Sequence, residues 1–285
     1  MIRELTLSTR DGLRLYGWVR HPSGPIRGVI TLIHGMGEHS RRYDHLTAFW
    51  AVNGYASAGF DHRGHGRSQG TRGHTPSLEH LLDDIADFTA QVADECPACP
   101  RYLYGHSMGG NLALNFLIRR QPGFTAGIAS APYLELAFQP SKAKLLLARL
   151  LYRILPAMTF PTGLDASCLS RDPAVVRRYR EDPLVHDRIS VSFFTEIQAA
   201  GQSALRRASE LTLPVLLMHG NADRITSLAA SERFVSGSHG RAAFKCWDGY
   251  FHELHNEPQW QPVAQFALDW LERAANHPLP AWPSE

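Results

Sequence analysis

The pentapeptide Gly105-His106-Ser107-Met108-Gly109 has the residue types and spacing to carry a serine nucleophile. Tyr102-Leu103-Tyr104 before it predicts a strand, and the apolar pattern Leu112, Ala113, Leu114, Phe116, Leu117, Ile118 after it predicts a helix. Between a strand and a helix, G-x-S-x-G describes a sharp turn that holds its serine in strained backbone and lifts the hydroxyl above the sheet. Side chains two residues to either side would collide there, and Gly105 and Gly109 have none. The helix N-terminus also brings free N–H groups to the spot where an oxyanion would develop.

A serine hydroxyl needs a base, and the base needs an orienting carboxylate. With a nucleophile on this kind of turn the chain order is serine, acid, histidine. Four histidines follow the apolar strand that ends at Gly220: His239, His252, His255 and His277. His239 precedes a strand and His277 lies in a proline-rich tail. His252 and His255 remain, both in the loop after the strand ending at Trp247, with Gly249 to allow a tight turn. The acid belongs just beyond His219, where Asp223 stands. Glu135 is a poorer alternative, and Asp248 reads as a turn residue. The second oxyanion donor is expected in the loop after the strand ending at Ile33, so the N–H groups of Met36 and Met108 would face one carbonyl oxygen. One such donor is worth about 3 kcal/mol of transition-state stabilisation. The charged loop Asp61 to Ser68 reads as a structural polar turn.

The elements that must position these residues follow from hydrophobic patterning. Leu5 to Val19 alternates about an Asp11-Gly12 turn and predicts a hairpin. Gly28 to Ile33, Tyr55 to Phe60, Thr125 to Ser130 and Leu213 to Gly220 are near-continuous apolar runs, as expected of strands buried on both faces. Helical patterns at His45 to Val52, Leu78 to Ala93, Ser227 to Val235 and Pro258 to Ala275 fall between and after strands. Repeated alternation predicts an α/β fold: a mostly parallel central sheet with helices on both faces. It stops between Tyr133 and Arg207, a stretch of helical pattern, loop and prolines with no buried strand. The expected organisation is a core of 1–132 and 209–285, with 133–208 inserted as a helical cap over the C-terminal edge of the sheet, where ligands of such sheets bind.

The 285 residues suffice for one large domain, and a formal charge of +2 gives no reason to expect a nucleic-acid partner. Met1-Ile2-Arg3-Glu4 runs straight into an alternating strand without the apolar core of a secretory signal. No apolar stretch reaches the length of a membrane span. Four cysteines are too few for a disulfide framework. Cys96-Pro97-Ala98-Cys99 lacks a second ligand pair at zinc spacing, and a reducing, cytoplasmic location, peripheral at membranes, is the expectation.

Five motifs in order resemble those of one known family. They are His34-Gly35-Met36-Gly37-Glu38-His39-Ser40 with Arg42-Tyr43; Asp61-His62 with Gly64-His65-Gly66 and Ser68; Gly105 to Gly110; Gly220 with Ala222-Asp223-Arg224; and Tyr250 with His252, Leu254-His255 and Glu257. Together they resemble the monoacylglycerol lipase and lysophospholipase group of α/β-hydrolases, over about Leu13 to Ala275. Leu169-Ser170-Arg171 and Tyr179 with Asp182-Pro183-Leu184 match within the insertion. The resemblance implies the triad Ser107, Asp223 and His252, choosing His252 over His255. It implies a cap over an acyl-chain channel and substrate-binding positions at Glu38, Arg42, Tyr179 and His255, with Glu38, Arg42 and His255 near the polar headgroup. One departure is Thr226, where some members carry a cysteine, so their thiol-reagent sensitivity does not transfer.

The expected function is cleavage of fatty-acid esters, monoacylglycerol first, through an acyl-enzyme and with no metal or organic cofactor. A lysophospholipase, a small-substrate esterase or peptidase of this fold, and a non-catalytic ligand sensor are the alternatives. Glu38, Arg42 and His255 suit glycerol hydroxyls better than a phosphate headgroup. In Lys142 to Leu155 a stripe of Lys142, Arg149 and Arg153 runs beside leucines, Tyr152 and Ile154. That is the composition of a helix resting on a membrane or micelle surface.

Overall fold

A computed structural model describes residues 1–120, 123–138 and 150–276. Its centre is an eight-stranded sheet made of β1 (Ile2–Ser8), β2 (Arg14–Arg20), β3 (Gly28–Ile33), β4 (Tyr55–Phe60), β5 (Arg101–His106), β6 (Ala126–Ser130), β9 (Val215–Gly220) and β10 (Ala242–Trp247). The order is β1-β2-β4-β3-β5-β6-β9-β10. β1 pairs antiparallel with β2, and β2 antiparallel with β4; from β4 to β10 every pairing is parallel. The Asp11-Gly12 turn closes the hairpin, with Gly12 at φ +89°.

Successive residues of the central strands feed opposite faces. Val29 and Ile33 of β3, Leu103 of β5, and Val215 and Leu217 of β9 join one core with helices α2 (Leu78–Ala93), α3 (Met108–Arg120) and α6 (Leu228–Gly237). Ile30, Leu32, Tyr102, Tyr104, Leu216 and Met218 point the other way, onto α1 (Asp44–Val52) and α7 (Trp260–Asn276). Both faces are therefore covered, which is why these runs read as continuously apolar. Among the described residues no helix is long and apolar enough to cross a membrane.

The segment between β6 and β9 divides. Its first part lies over the sheet edge and contains α4 (Pro173–Glu181) and a short antiparallel ribbon, β7 (Thr159–Pro161) with β8 (Arg188–Ser190). Sequence patterning missed this ribbon because strands of three residues have no period to detect. The last part, α5 (Val191–Arg206), packs on α3. The Asn111 amide donates to the carbonyls of Tyr133 (2.6 Å) and Ile197 (3.0 Å), and Asn115 donates to Ala200 (3.1 Å). Phe193 and Ile197 sit in the same core as α2 and α3.

Cys96 and Cys99 are joined in a disulfide, against the expectation of reduced cysteines. The turn after α2, in which the Cys99 N–H donates to the Cys96 carbonyl, brings their Cα atoms to 5.4 Å, within disulfide range. It closes only a four-residue loop and cross-links no distant elements.

Candidate active site

β5 ends at His106 and α3 begins at Met108, so Ser107 alone makes the turn, at φ +54°. A non-glycine residue in that region costs on the order of 1–3 kcal/mol and persists only where its surroundings enforce it. Here they do. The Ser107 N–H donates to Ser130 O (2.9 Å), and its carbonyl accepts from Asn111 and Tyr133. A Cβ on Gly105 would overlap the Gly109 carbonyl, and one on Gly109 would overlap the carbonyls of Ile33 and His34. The two glycines thus let α3 approach its own strand and β3 together.

The loops after β9 and β10 bring the partners. The Ser107 hydroxyl lies 2.9 Å from His252 Nε2, and His252 Nδ1 lies 2.7 Å from Asp223 Oδ2. Both His252 and Asp223 are buried against solvent. Gly249, at φ +72°, makes the expected turn before His252. Burial opposes a charge on His252, but Asp223 outweighs it and raises the imidazole above its ordinary value. Burial would also raise Asp223, yet His252 and hydrogen bonds from His219 and His252 hold it well below the usual carboxylate range. The result is an ionised acid beside a basic imidazole in contact with a hydroxyl. That arrangement can take the serine proton as the oxygen attacks.

The loop after β3 is tied down by side chains whose part in it the sequence did not reveal. Glu38 Oε1 accepts from Gly35 N (2.7 Å) and Tyr43 OH (2.6 Å), and Arg42 pairs with Glu38 Oε2. Arg42 also forks onto Glu253 at 2.7 and 2.9 Å. One buried guanidinium thereby joins the loop carrying Met36 to the loop carrying His252. Burial would push the Glu38 carboxyl up, but Arg42 and the hydrogen bond from Tyr43 hold it down to about 2. His34 donates from Nδ1 to Gly35 O (2.7 Å) and accepts the His62 N–H at Nε2 (2.9 Å), which fixes a neutral ring. Met36 lines the cavity in front of Ser107, and Met108 is buried as the first residue of α3.

This cavity opens between the sheet edge and the covering segment. Glu38, Tyr179, His186 and Glu253 give it polar groups. Much of the rest is apolar, from Leu136, Phe138, Phe160, Leu164, Ile189 and Phe194. The cover is fastened to the catalytic loops: His186 N donates to Gly37 O (2.8 Å), Glu253 N to Leu169 O (2.8 Å), and His39 Nε2 meets Asp182 Oδ2 (2.9 Å).

Two expected headgroup residues are elsewhere. Arg42 does not line the cavity, because Glu38 and Glu253 consume it and the Tyr179 ring covers it at 4.7 Å. His255 is buried and stacks on Tyr43 at 4.3 Å, away from the cavity, and burial holds its imidazole well below the ordinary value. Glu38 and Tyr179 do reach the cavity. Asp61 to Ser68 stays out of it: Asp61 accepts from Ser40 N (2.9 Å), Ser40 Oγ (2.7 Å) and Arg67 N (2.9 Å). Glu135 pairs with Arg233, and the Asp248 carboxylate accepts from Asn221 (2.7 Å); neither contacts His252. Sequence reasoning assigned nothing to Glu253 or His219, although one adjoins the chosen histidine and the other ends the strand leading to the acid.

The family described as serine aminopeptidase, S33, matches residues 24–259. An uncharacterized abhydrolase domain-containing protein of Dictyostelium discoideum is 35% identical over 96% of this chain, which spans only 29% of that longer protein. The monoacylglycerol lipase of Mycolicibacterium smegmatis is 33% identical, over 91% of this chain and 93% of its own. Among solved structures, the Paleococcus ferrophilus monoacylglycerol lipase superposes with a TM-score of 0.83 at 33% identity, covering 91% of this chain and 99% of the other. A soluble variant of Saccharomyces cerevisiae monoglyceride lipase, in complex with a substrate analog, gives 0.86 at 25% identity over 95% and 94%. The extent of these matches, the strand order and the serine turn identify a family: the chain belongs to the monoacylglycerol lipase group of the α/β-hydrolases, which are serine hydrolases of carboxylic esters.

Proposed function

We propose that the chain hydrolyses monoacylglycerols to glycerol and free fatty acid through an acyl-enzyme on Ser107. The observation that carries this is the hydrogen-bonded run Ser107–His252–Asp223 facing a covered, largely apolar cavity. Ser107 attacks the ester carbonyl, His252 takes the proton and returns it to the leaving alcohol, and Asp223 holds the imidazole in its tautomer. The N–H groups of Met36 and Met108 receive the oxyanion. The acyl chain lies along Phe160, Ile189 and Phe194, and the glycerol hydroxyls face Glu38 and Tyr179. We assign the covering role to the part of 133–208 that precedes α5.

An aminopeptidase would need a carboxylate free to bind a substrate ammonium. Glu38 and Glu253, the buried carboxylates of the cavity, share Arg42 and neither is free to take an ammonium, which favours an uncharged ester. Two carboxylates on one guanidinium leave a negative charge beside Ser107 that disfavours an anionic headgroup, although Arg224 also lines the cavity, so monoacylglycerol is favoured over lysophospholipid. A turnover panel of monoacylglycerols, lysophospholipids, p-nitrophenyl esters and amino-acid amides tests this, with Ser107→Ala as control. Highest kcat/KM on monoacylglycerol, lost in Ser107→Ala, is expected. Preference for the lysophospholipid or the amide would overturn the substrate assignment, and turnover of no ester at all would favour a sensor.

Contact with a lipid surface is part of the proposal. Lys142 and Arg149, with the leucines between them, lie outside the described residues. Among the described residues on either side, Leu150 (58% exposed) and Ile154 (64%) project outward, with Leu155, Met158 and Phe138 also exposed. Tyr152 instead turns in to Glu196 (2.7 Å). Replacing Leu150 and Ile154 by serine should weaken liposome binding and micellar turnover while sparing a soluble short-chain ester. Equal loss on both substrates would contradict it.

A further inference from the structure

The catalytic hydrogen-bond run continues beyond Asp223. His219, fully buried as the fifth residue of β9, places Nε2 3.1 Å from Asp223 Oδ2, on the oxygen that receives His252. The same Nε2 lies 3.3 Å from the Thr226 carbonyl. The Thr226 hydroxyl oxygen lies 3.4 Å from Nε2 as well, and with the carbonyl and the carboxylate as acceptors Nε2 carries the proton. Its Nδ1 lies 2.9 Å from Ser231 Oγ, on α6. Asp223 then accepts four hydrogen bonds and has the His219 ring close beside it. Oδ1 takes the N–H groups of Ile225 (2.7 Å) and Thr226 (3.1 Å); Oδ2 takes the Thr226 hydroxyl (2.8 Å) and His252, with His219 Nε2 at 3.1 Å.

We propose that His219 is a positioning residue for the reaction at Ser107, a second imidazole that divides the charge of Asp223 Oδ2 with His252 and is locked in the required tautomer by Ser231. The chemistry needs this division. A carboxylate that gave all its charge to His252 would stabilise the imidazolium too far, leaving less neutral base at working pH and a weaker acid for the leaving alcohol. A neutral N–H donor lowers that basicity without adding a positive charge, which a lysine or arginine there would add.

The proposal rests on the triad reading, and the test separates the two. The readouts are kcat, KM and the pH profile of kcat/KM on p-nitrophenyl butyrate, with thermal unfolding and fluorophosphonate labelling, in His219→Leu, His219→Gln and Ser231→Ala. Glutamine can present its amide N–H where Nε2 stood. His219→Leu should lower kcat roughly tenfold or more, the loss expected for a hydrogen bond to a charged group, with little change in KM. It should move the acid limb of the profile to higher pH. The other groups facing His252 (Glu38, Glu253, His106 and His255) stay in place in every variant. His219→Gln should restore most of kcat and the position of the limb. Ser231→Ala, which frees the ring to flip its proton, should move both in the direction of His219→Leu by less.

A wild-type kcat and limb in His219→Leu would overturn the proposal, as would lost stability with the limb unmoved and no rescue by glutamine. If His219→Leu fails to fold, a wild-type Ser231→Ala profile overturns it. Full activity in Ser107→Ala would instead defeat the triad reading itself.

Discussion

Replacing Arg42 by methionine separates its position in the structure from the headgroup role that the sequence suggested. The guanidinium is 9% exposed and is the ion-pair partner of two carboxylates at 3% and 2%. Methionine fills much the same length but leaves Glu38 and Glu253 buried without their cation. Breaking a buried pair in this way costs about 3–5 kcal/mol. At roughly 2–4 °C per kcal/mol for a chain of this class, Tm should fall by about 6–20 °C. The kinetic effect follows from the same contacts. Glu38 holds Gly35 N, so the Met36 loop loosens, and kcat should fall on every ester, p-nitrophenyl butyrate included. Glu253→Gln combined with Arg42→Met removes one of the stranded charges and should recover part of the lost Tm. Differential scanning calorimetry and steady-state kinetics on a monoacylglycerol and the short ester decide the matter. An unchanged Tm, with KM raised only for the monoacylglycerol, would refute the clamp and return Arg42 to the headgroup.

The raised imidazole of His252 predicts that kcat/KM on a soluble ester falls as pH drops through a limb lying above the ordinary imidazole value of about 6.5, because protonated His252 cannot act as base. A pH–rate profile with its limb at or below that value would contradict the assignment. Gly109→Ala drives a methyl into the Ile33 and His34 carbonyls and should cost about 1–3 kcal/mol of stability and most fluorophosphonate labelling of Ser107, read by calorimetry and labelling rate. Wild-type values for both would mean that the turn has slack the contacts do not show. Asn111→Ala strips the donor from the Tyr133 and Ile197 carbonyls and should lower stability by about 1–3 kcal/mol while leaving KM unchanged, since Asn111 does not line the cavity.

Much of this protein was legible in one dimension because the relevant physics is local. A strand buried on both faces must be apolar at every position, so β3, β4, β6 and β9 announced themselves within a residue or two. A serine at φ +54° between a strand and a helix needs glycine two residues to either side, and that spacing is written in the chain. Once the sheet is parallel, its loops gather at one edge, so chain order placed Asp223 and narrowed the base to His252 or His255, and the family resemblance chose His252. The tertiary structure decided what depends on distant partners. Arg42 and Glu253 are 211 residues apart, and nothing local tells an arginine that binds substrate from one neutralised by buried carboxylates. His255 carries the same signal as His252 three residues earlier, and only its packing against Tyr43 removes it from the cavity. Helix α5 reads like part of the cover, yet asparagine amides from α3 draw it onto the core. His219 looked like one more apolar-strand residue until the fold set it beside Asp223. Burial and pairing are properties of the whole chain, and a side chain's charge acquires its role only when the fold has chosen what faces it.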